Sequence, residues 1–133
     1  MNSFPGVVME NVAFWIRSGS LLAALAIVTG AFGAHGLQNQ LSPAMMSVYE
    51  KAVHYHAYHS LGLFAVAFVR YYRPEARRAV WAGRLMLVGI VFFSGSLYVL
   101  SLTGLSWLGA VTPIGGLAFI AAWLMLFFAV SGS

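Results

Sequence analysis

The chain is predicted to be an all-α integral membrane protein: a single transmembrane domain over residues 1–133, folded as a four-helix up-down-up-down bundle, N-in and C-in. Three observations predict it. Of the 133 residues, 61% are hydrophobic and only 8% are charged, whereas a soluble domain carries about 25% charged residues to meet water. The apolar residues gather into four stretches of the length that crosses hydrocarbon ~30 Å thick at 1.5 Å per residue. Finally, five of the seven basic residues lie between Arg70 and Arg84, beside one short connection.

The spans run from about Phe14 to Leu37, Ala52 to Tyr71, Ala79 to Leu102 and Trp107 to Val130. Their short links force sequential neighbours to be antiparallel. Arg70, Arg73, Arg77, Arg78 and Arg84 place loop 72–78 in the cytoplasm, and both termini with it. Arg17 agrees, and Lys51 is the one basic residue on the outer side. Trp15, Tyr71, Tyr72 and Trp81 are expected in the inner aromatic belt, with Tyr49, Tyr98 and Trp107 in the outer one. Leu21–Val28 followed by small residues resembles a signal peptide, but the apolar stretch continues to Leu37 and three spans follow, so a retained helix is expected.

Span one carries Gly30, Gly33 and Gly36, with Ala23 and Ala26 upstream. In lipid no hydrophobic force drives helices together, so close approach through small residues must supply the packing. Ser42-Pro43 reads as a helix start, with the serine as N-cap and the proline in the first turn, leading into span two with Met45 and Met46 towards lipid. Ser94 and Ser96 in span three, and Thr112 and Pro113 in span four, mark packing or a kink. Pro113 removes a backbone donor, and a neighbouring hydroxyl is expected to cover the carbonyl it leaves.

The polar stretch lies at the mouth of span two, where Tyr49–Ser60 holds three of the four histidines. At 100° per residue, Lys51, Tyr55, His59 and Gly62 share a stripe, His56 sits at its edge and His54 points away. His35 closes span one on the same outer side. A polar pocket of His35, Tyr55 and His59, with Glu50 and Lys51 at its rim, is therefore expected between spans one and two. Ionisable groups so placed serve as anchors and interhelical bonds, as haem or metal ligands, or as a proton- or headgroup-handling site against a quinone or lipid. The stripe favours the first, with no metal site and no cofactor. Without cysteine, thiolate chemistry is excluded. Clustered arginines beside apolar spans argue against nucleic acid.

Four segments resemble one family: Gly30-Ala31-Phe32-Gly33-Ala34-His35-Gly36-Leu37, Tyr55-x-x-Tyr58-His59, Phe93-Ser94-Gly95-Ser96-Leu97-Tyr98 and Leu108–Gly116. In this order they are similar to the bacterial "domain of unknown function 423" group, whose animal relatives are transmembrane protein 256-like proteins. The resemblance implies a small four-span protein of the bacterial cytoplasmic membrane and no assigned activity. It places His35, Tyr55 and His59 inside the family pattern and leaves His54 and His56 outside it.

The expectation is thus a non-enzymatic structural or accessory membrane component, lipid-embedded and either self-associating or part of a larger complex. The alternatives are a quinone- or haem-binding redox or proton-handling subunit, and a small dimeric transporter.

Overall fold

A computed structural model describes residues 5–131, so residues 1–4 and 132–133 of the expected domain lie outside the described part. Four antiparallel rods follow one another. The first is helix α1, Pro5–Phe32, extended by a π-helical turn over Gly33–Leu37. The second is α2, Pro43–Tyr72. The third is α3, Arg77–Gly89, carried through a π-helical turn at Ile90–Gly95 into α4, Ser96–Thr103. A 3-10 turn over Ser106–Ala110 leads into α5, Thr112–Val130.

Local chemistry sets the boundaries. Ser42 caps α2 as expected, accepting the Met45 N–H at 3.2 Å, and Pro43 occupies the first turn, where its missing donor costs nothing. Residues 43–72 are one unbroken helix, with Met45 and Met46 half-buried on it. The third rod stops at Gly104, whose φ of +72° is open to glycine without a Cβ penalty. Pro113 is likewise a starter: it stands in the first turn of α5 and kinks nothing. The Thr112 hydroxyl beside it reaches the Leu108 carbonyl at 3.2 Å and the Ser96 hydroxyl at 2.7 Å.

Three rods, Pro5–Leu37, Arg77–Thr103 and Ser106–Val130, are both long and apolar enough to cross a membrane. Helix α2, the expected second span, is long enough but too polar on average, because its histidines, Glu50 and Lys51 dilute the apolar run. Its place in the bundle explains how those groups are tolerated. The helix runs between α1 on one side and the third rod on the other, and contributes more buried residues than any other element. Helix α5 packs mainly on the third rod, and α1 mainly on α2. The rods therefore neighbour one another in a row, α1 to α2 to the third rod to α5.

The buried positions Val12, Trp15, Gly19 and Ala26 of α1, continued by Gly33 and Leu37, alternate by three, four and seven residues and form a heptad-like seam against α2. Gly33 belongs to the seam, since a Cβ there would lie 2.4 Å from the Tyr49 ring. Gly30 only touches Val53, and Gly36 packs on Phe32 of its own helix, so the expected three-glycine stripe reduces to one close contact. The same device recurs deeper in the bundle. The Trp15 ring sits on Gly83, Phe119 on Gly89 and the Phe93 backbone on Gly115, each within 2.5 Å of where a Cβ would be.

These contacts correct the aromatic belts. Trp15 is only 2% exposed and Tyr49 3%, so both are core residues, and Tyr98 is half-buried. Tyr71, Tyr72, Trp81 and Trp107 remain outside, with Arg84 stacked over Trp81 at 5.0 Å. At the arginine end, Arg70 donates to Asn11 at 3.1 Å and to the Pro74 carbonyl, tying α1 to the second connection.

Replacing a seated glycine should force ring and backbone apart. Gly89→Ala, facing the Phe119 ring at 2.3 Å, is expected to cost about 1–3 kcal/mol. Gly109→Ala, which meets open space, should change stability little. Denaturation in mixed micelles measures both.

Candidate functional site

The two buried histidines of α2, His56 and His59, point into the bundle in different directions, and neither is towards His35. His35 lies exposed in the π turn that ends the first rod. The expected His35–Tyr55–His59 contact is not formed. The wheel grouped Tyr55 with His59 correctly, but the stripe faces α5 and the third rod, not α1. Glu50 and Lys51 are exposed near the start of α2. Glu50 instead lines a second, smaller recess of 390 Å3 with Gly30, Gly33, Tyr49 and His54.

His59, 3% exposed, is held on both edges and one face. The Trp123 indole N–H donates to Nε2 at 3.0 Å. Nδ1 lies 2.8 Å from the Tyr55 carbonyl. The Phe119 ring stacks on the imidazole at 3.4 Å between centroids and 8° between planes. An indole nitrogen only donates, so Nε2 must be the acceptor and Nδ1 must carry the proton. The ring is thus neutral, in a single tautomer, with both nitrogens used. Tyr55 joins the stack, 4.5 Å from Phe93 and 6.2 Å from Phe119.

His56, three residues earlier and 5% exposed, looks the other way. Its Nδ1 lies 2.9 Å from the Tyr98 hydroxyl, which lies 3.0 Å from Thr29 Oγ1, itself 3.1 Å from the Ala26 carbonyl. Three donors serve these three contacts only if Nδ1–H donates to Tyr98, Tyr98 to Thr29 and Thr29 to Ala26. The arrangement spans α2, α4 and α1. Tyr49 adds a bond from its hydroxyl to the Thr29 carbonyl. His56 Nε2 is left without a hydrogen-bond partner, as is the fully buried Ser94 Oγ. Ser60 spends its hydroxyl on the His56 carbonyl at 2.7 Å.

Ser96 and Thr112 form the third polar contact, joining α4 to α5. Ser96 Oγ also lies 3.0 Å from the Phe93 carbonyl. Two hydroxyl protons face three contacts here, so one is always forgone. Among the described residues, no three His, Cys, Asp or Glu side chains gather to hold a metal ion.

Sequence reasoning passed over four partners: Thr29 and Tyr98 for His56, and Phe119 and Trp123 for His59. One signal was available. An indole N–H in mid-span must find an acceptor, and Trp123 lies well inside α5 with few acceptors at its depth.

Beside the His59 stack, α2 and α5 leave a groove of 570 Å3 on the flank of the bundle, lined by Tyr55, Tyr58, His59, Phe93, Phe119 and Trp123 among others. Tyr58 and Ile120, 66% and 59% exposed, stand at its rim.

Comparison with known proteins matches residues 29–116 to the family described as "Protein of unknown function (DUF423)". A UPF0382 membrane protein of Staphylococcus haemolyticus is 53% identical over 112 residues, covering 84% of this chain and 90% of the relative. UPF0382 membrane protein YwdK of Bacillus subtilis is 50% identical over 112 residues, covering 84% and 91%. No solved structure matches the chain. The family match takes in Thr29, Tyr55, His56, His59 and Tyr98, while Phe119 and Trp123 lie beyond it.

Nitrogen NMR of histidine-labelled protein tests the tautomer. His59 is expected to show a protonated Nδ1 and a bare, hydrogen-bonded Nε2, and Trp123→Phe should shift the Nε2 signal while leaving the His56 resonances in place.

Proposed function

Because the chain belongs to the DUF423 family, whose relatives are named only as membrane proteins, we propose that it works as a non-enzymatic structural or accessory component of the bacterial cytoplasmic membrane. One observation supports this above the others: the two buried histidines of α2 each bond a residue of another helix of the same chain. His59 is spent on Trp123 and Tyr55, and His56 Nδ1 on Tyr98. An active site needs the reverse, groups aimed at a reacting atom and held ready by their neighbours. A haem would have to break the Trp123 bond to reach the His59 Nε2 lone pair, and the unpaired His56 Nε2 is buried in the bundle on a residue only 5% exposed.

The bundle's shape supports a role in assembly. Helices α1 and α5 scarcely meet, so the bundle keeps long apolar flanks, with Leu21, Ile27 and Val28 exposed on α1 and Leu117, Leu124 and Phe127 on α5. A second copy, or a helix of a larger complex, can lie along either flank without disturbing the interior.

Two experiments test the reading. Purification in mild detergent after cross-linking in the membrane should return a homo-oligomer or a defined membrane partner; a lone monomer sinks the proposal. Orientation is accessible because the sequence contains no cysteine. In intact cells an impermeant maleimide should label Gln40→Cys, and Glu75→Cys only after lysis, since the arginine-rich connection belongs in the cytoplasm. The opposite pattern reverses the topology.

A further inference from the structure

The flank groove between α2 and α5 has a use that the structural reading does not absorb. Its volume of 570 Å3 falls within the range of small-molecule sites, roughly 300–1,000 Å3. Three features narrow its occupant. First, three of its rings are aligned: the planes of Tyr55, His59 and Phe119 lie within 23° of one another, while Phe93, Tyr58 and Trp123 stand at 54–58° to Phe119 or His59. A planar π system gains from such walls through offset stacking, and an acyl chain gains nothing from their alignment.

Second, polar tips with no other employment stand at the groove. Tyr55, Tyr58 and His54 line it, and neither tyrosine hydroxyl nor the His54 imidazole has a hydrogen-bond partner among the described residues. Hydroxyl donors suit ring carbonyl oxygens. Third, no lysine, arginine, aspartate or glutamate lines the groove. A phosphate or carboxylate headgroup would find no countercharge there, whereas a neutral ring would be matched. The groove also opens on the flank of the bundle, where a hydrophobic tail can remain among the lipids.

We propose that this groove binds the ring of a lipid-soluble quinone, its carbonyl oxygens accepting from Tyr55 and Tyr58 and its isoprenoid tail lying outside along α5. The site goes beyond the structural role: it gives the protein a reversible membrane ligand without any electron transfer by this chain. His59 does not bond the ring. It is a positioning residue, its two nitrogens held by Trp123 and Tyr55 so that its face stays parallel to Phe119.

The test is calorimetric titration of the full chain, in detergent micelles, with a naphthoquinone carrying one isoprene unit. Saturable binding of one ring per chain is expected. Tyr55→Phe and Tyr58→Phe should each weaken it about fivefold, the size of a lost hydrogen bond. Gly116→Leu, whose new side chain would enter the groove, should weaken it at least tenfold. Ile120→Trp at the exposed rim does the same by a route that leaves the core untouched, which keeps the test open should the glycine variant fail to fold. Oleate at equal concentration should leave quinone binding unchanged. Unsaturable partitioning, equal affinity in both blocking variants, or displacement by oleate overturns the proposal. Such a result leaves the assembly experiment unaffected.

Discussion

Leaving a buried imidazole edge unpaired in hydrocarbon is costly, and α2 carries two such rings on its inward faces, with three of their four nitrogens hydrogen-bonded and His56 Nε2 the exception. An unpaired buried polar group costs about 1–3 kcal/mol, comparable to what several close helix contacts contribute. Most of what is specific in this bundle follows from that constraint. His59 draws in Trp123 from α5, and His56 draws in Tyr98 from α4 and, through it, Thr29 from α1. One helix thus reaches each of the other three rods by a hydrogen bond. That is how the most polar rod can hold a central place beside the third rod, with its histidines His56 and His59 buried and Leu61 and Phe68 on its exposed side.

Around this polar frame, contact is made by rings laid on glycines. Tyr49 on Gly33, Trp15 on Gly83 and Phe119 on Gly89 each occupy the space a Cβ would take. With no water to expel, such close approach and its dispersion energy replace the hydrophobic effect. The two devices share residues. Phe119 fills the gap at Gly89 and also forms the floor beneath His59, and Tyr49 covers Gly33 while its hydroxyl holds Thr29. Packing and polar satisfaction are therefore coupled, and a change at a glycine is felt at a histidine.

The number of rods, the cap at Ser42 and the antiparallel order were legible because each depends on local composition or on one residue's stereochemistry, whereas the first rod starts at Pro5, nine residues before the expected span. The grouping on α2 was legible too, since 100° per residue places Tyr55 beside His59 in any helix. Which neighbour that stripe would face was not. A wheel has no fixed rotation within its bundle, so Tyr55 and His59 were paired with the wrong helix. His56 was discounted for lying at the stripe's edge, yet the edge of one face is the centre of the next. Pro113 was read as a kink because the 3-10 turn before it is as apolar as the helix after it, and only backbone geometry separates the two.

The central claim is that α2's histidines hold helices together. A double-mutant cycle between His59 and Trp123 tests it most directly, with His59→Leu, Trp123→Phe and the pair unfolded reversibly in mixed micelles. Interhelical hydrogen bonds in membranes are worth about 0.6 kcal/mol and up to about 1.7, and this one is doubly anchored and stacked. A coupling energy of about 1 kcal/mol or more is predicted. A coupling of zero, with the single changes simply adding, would contradict the account.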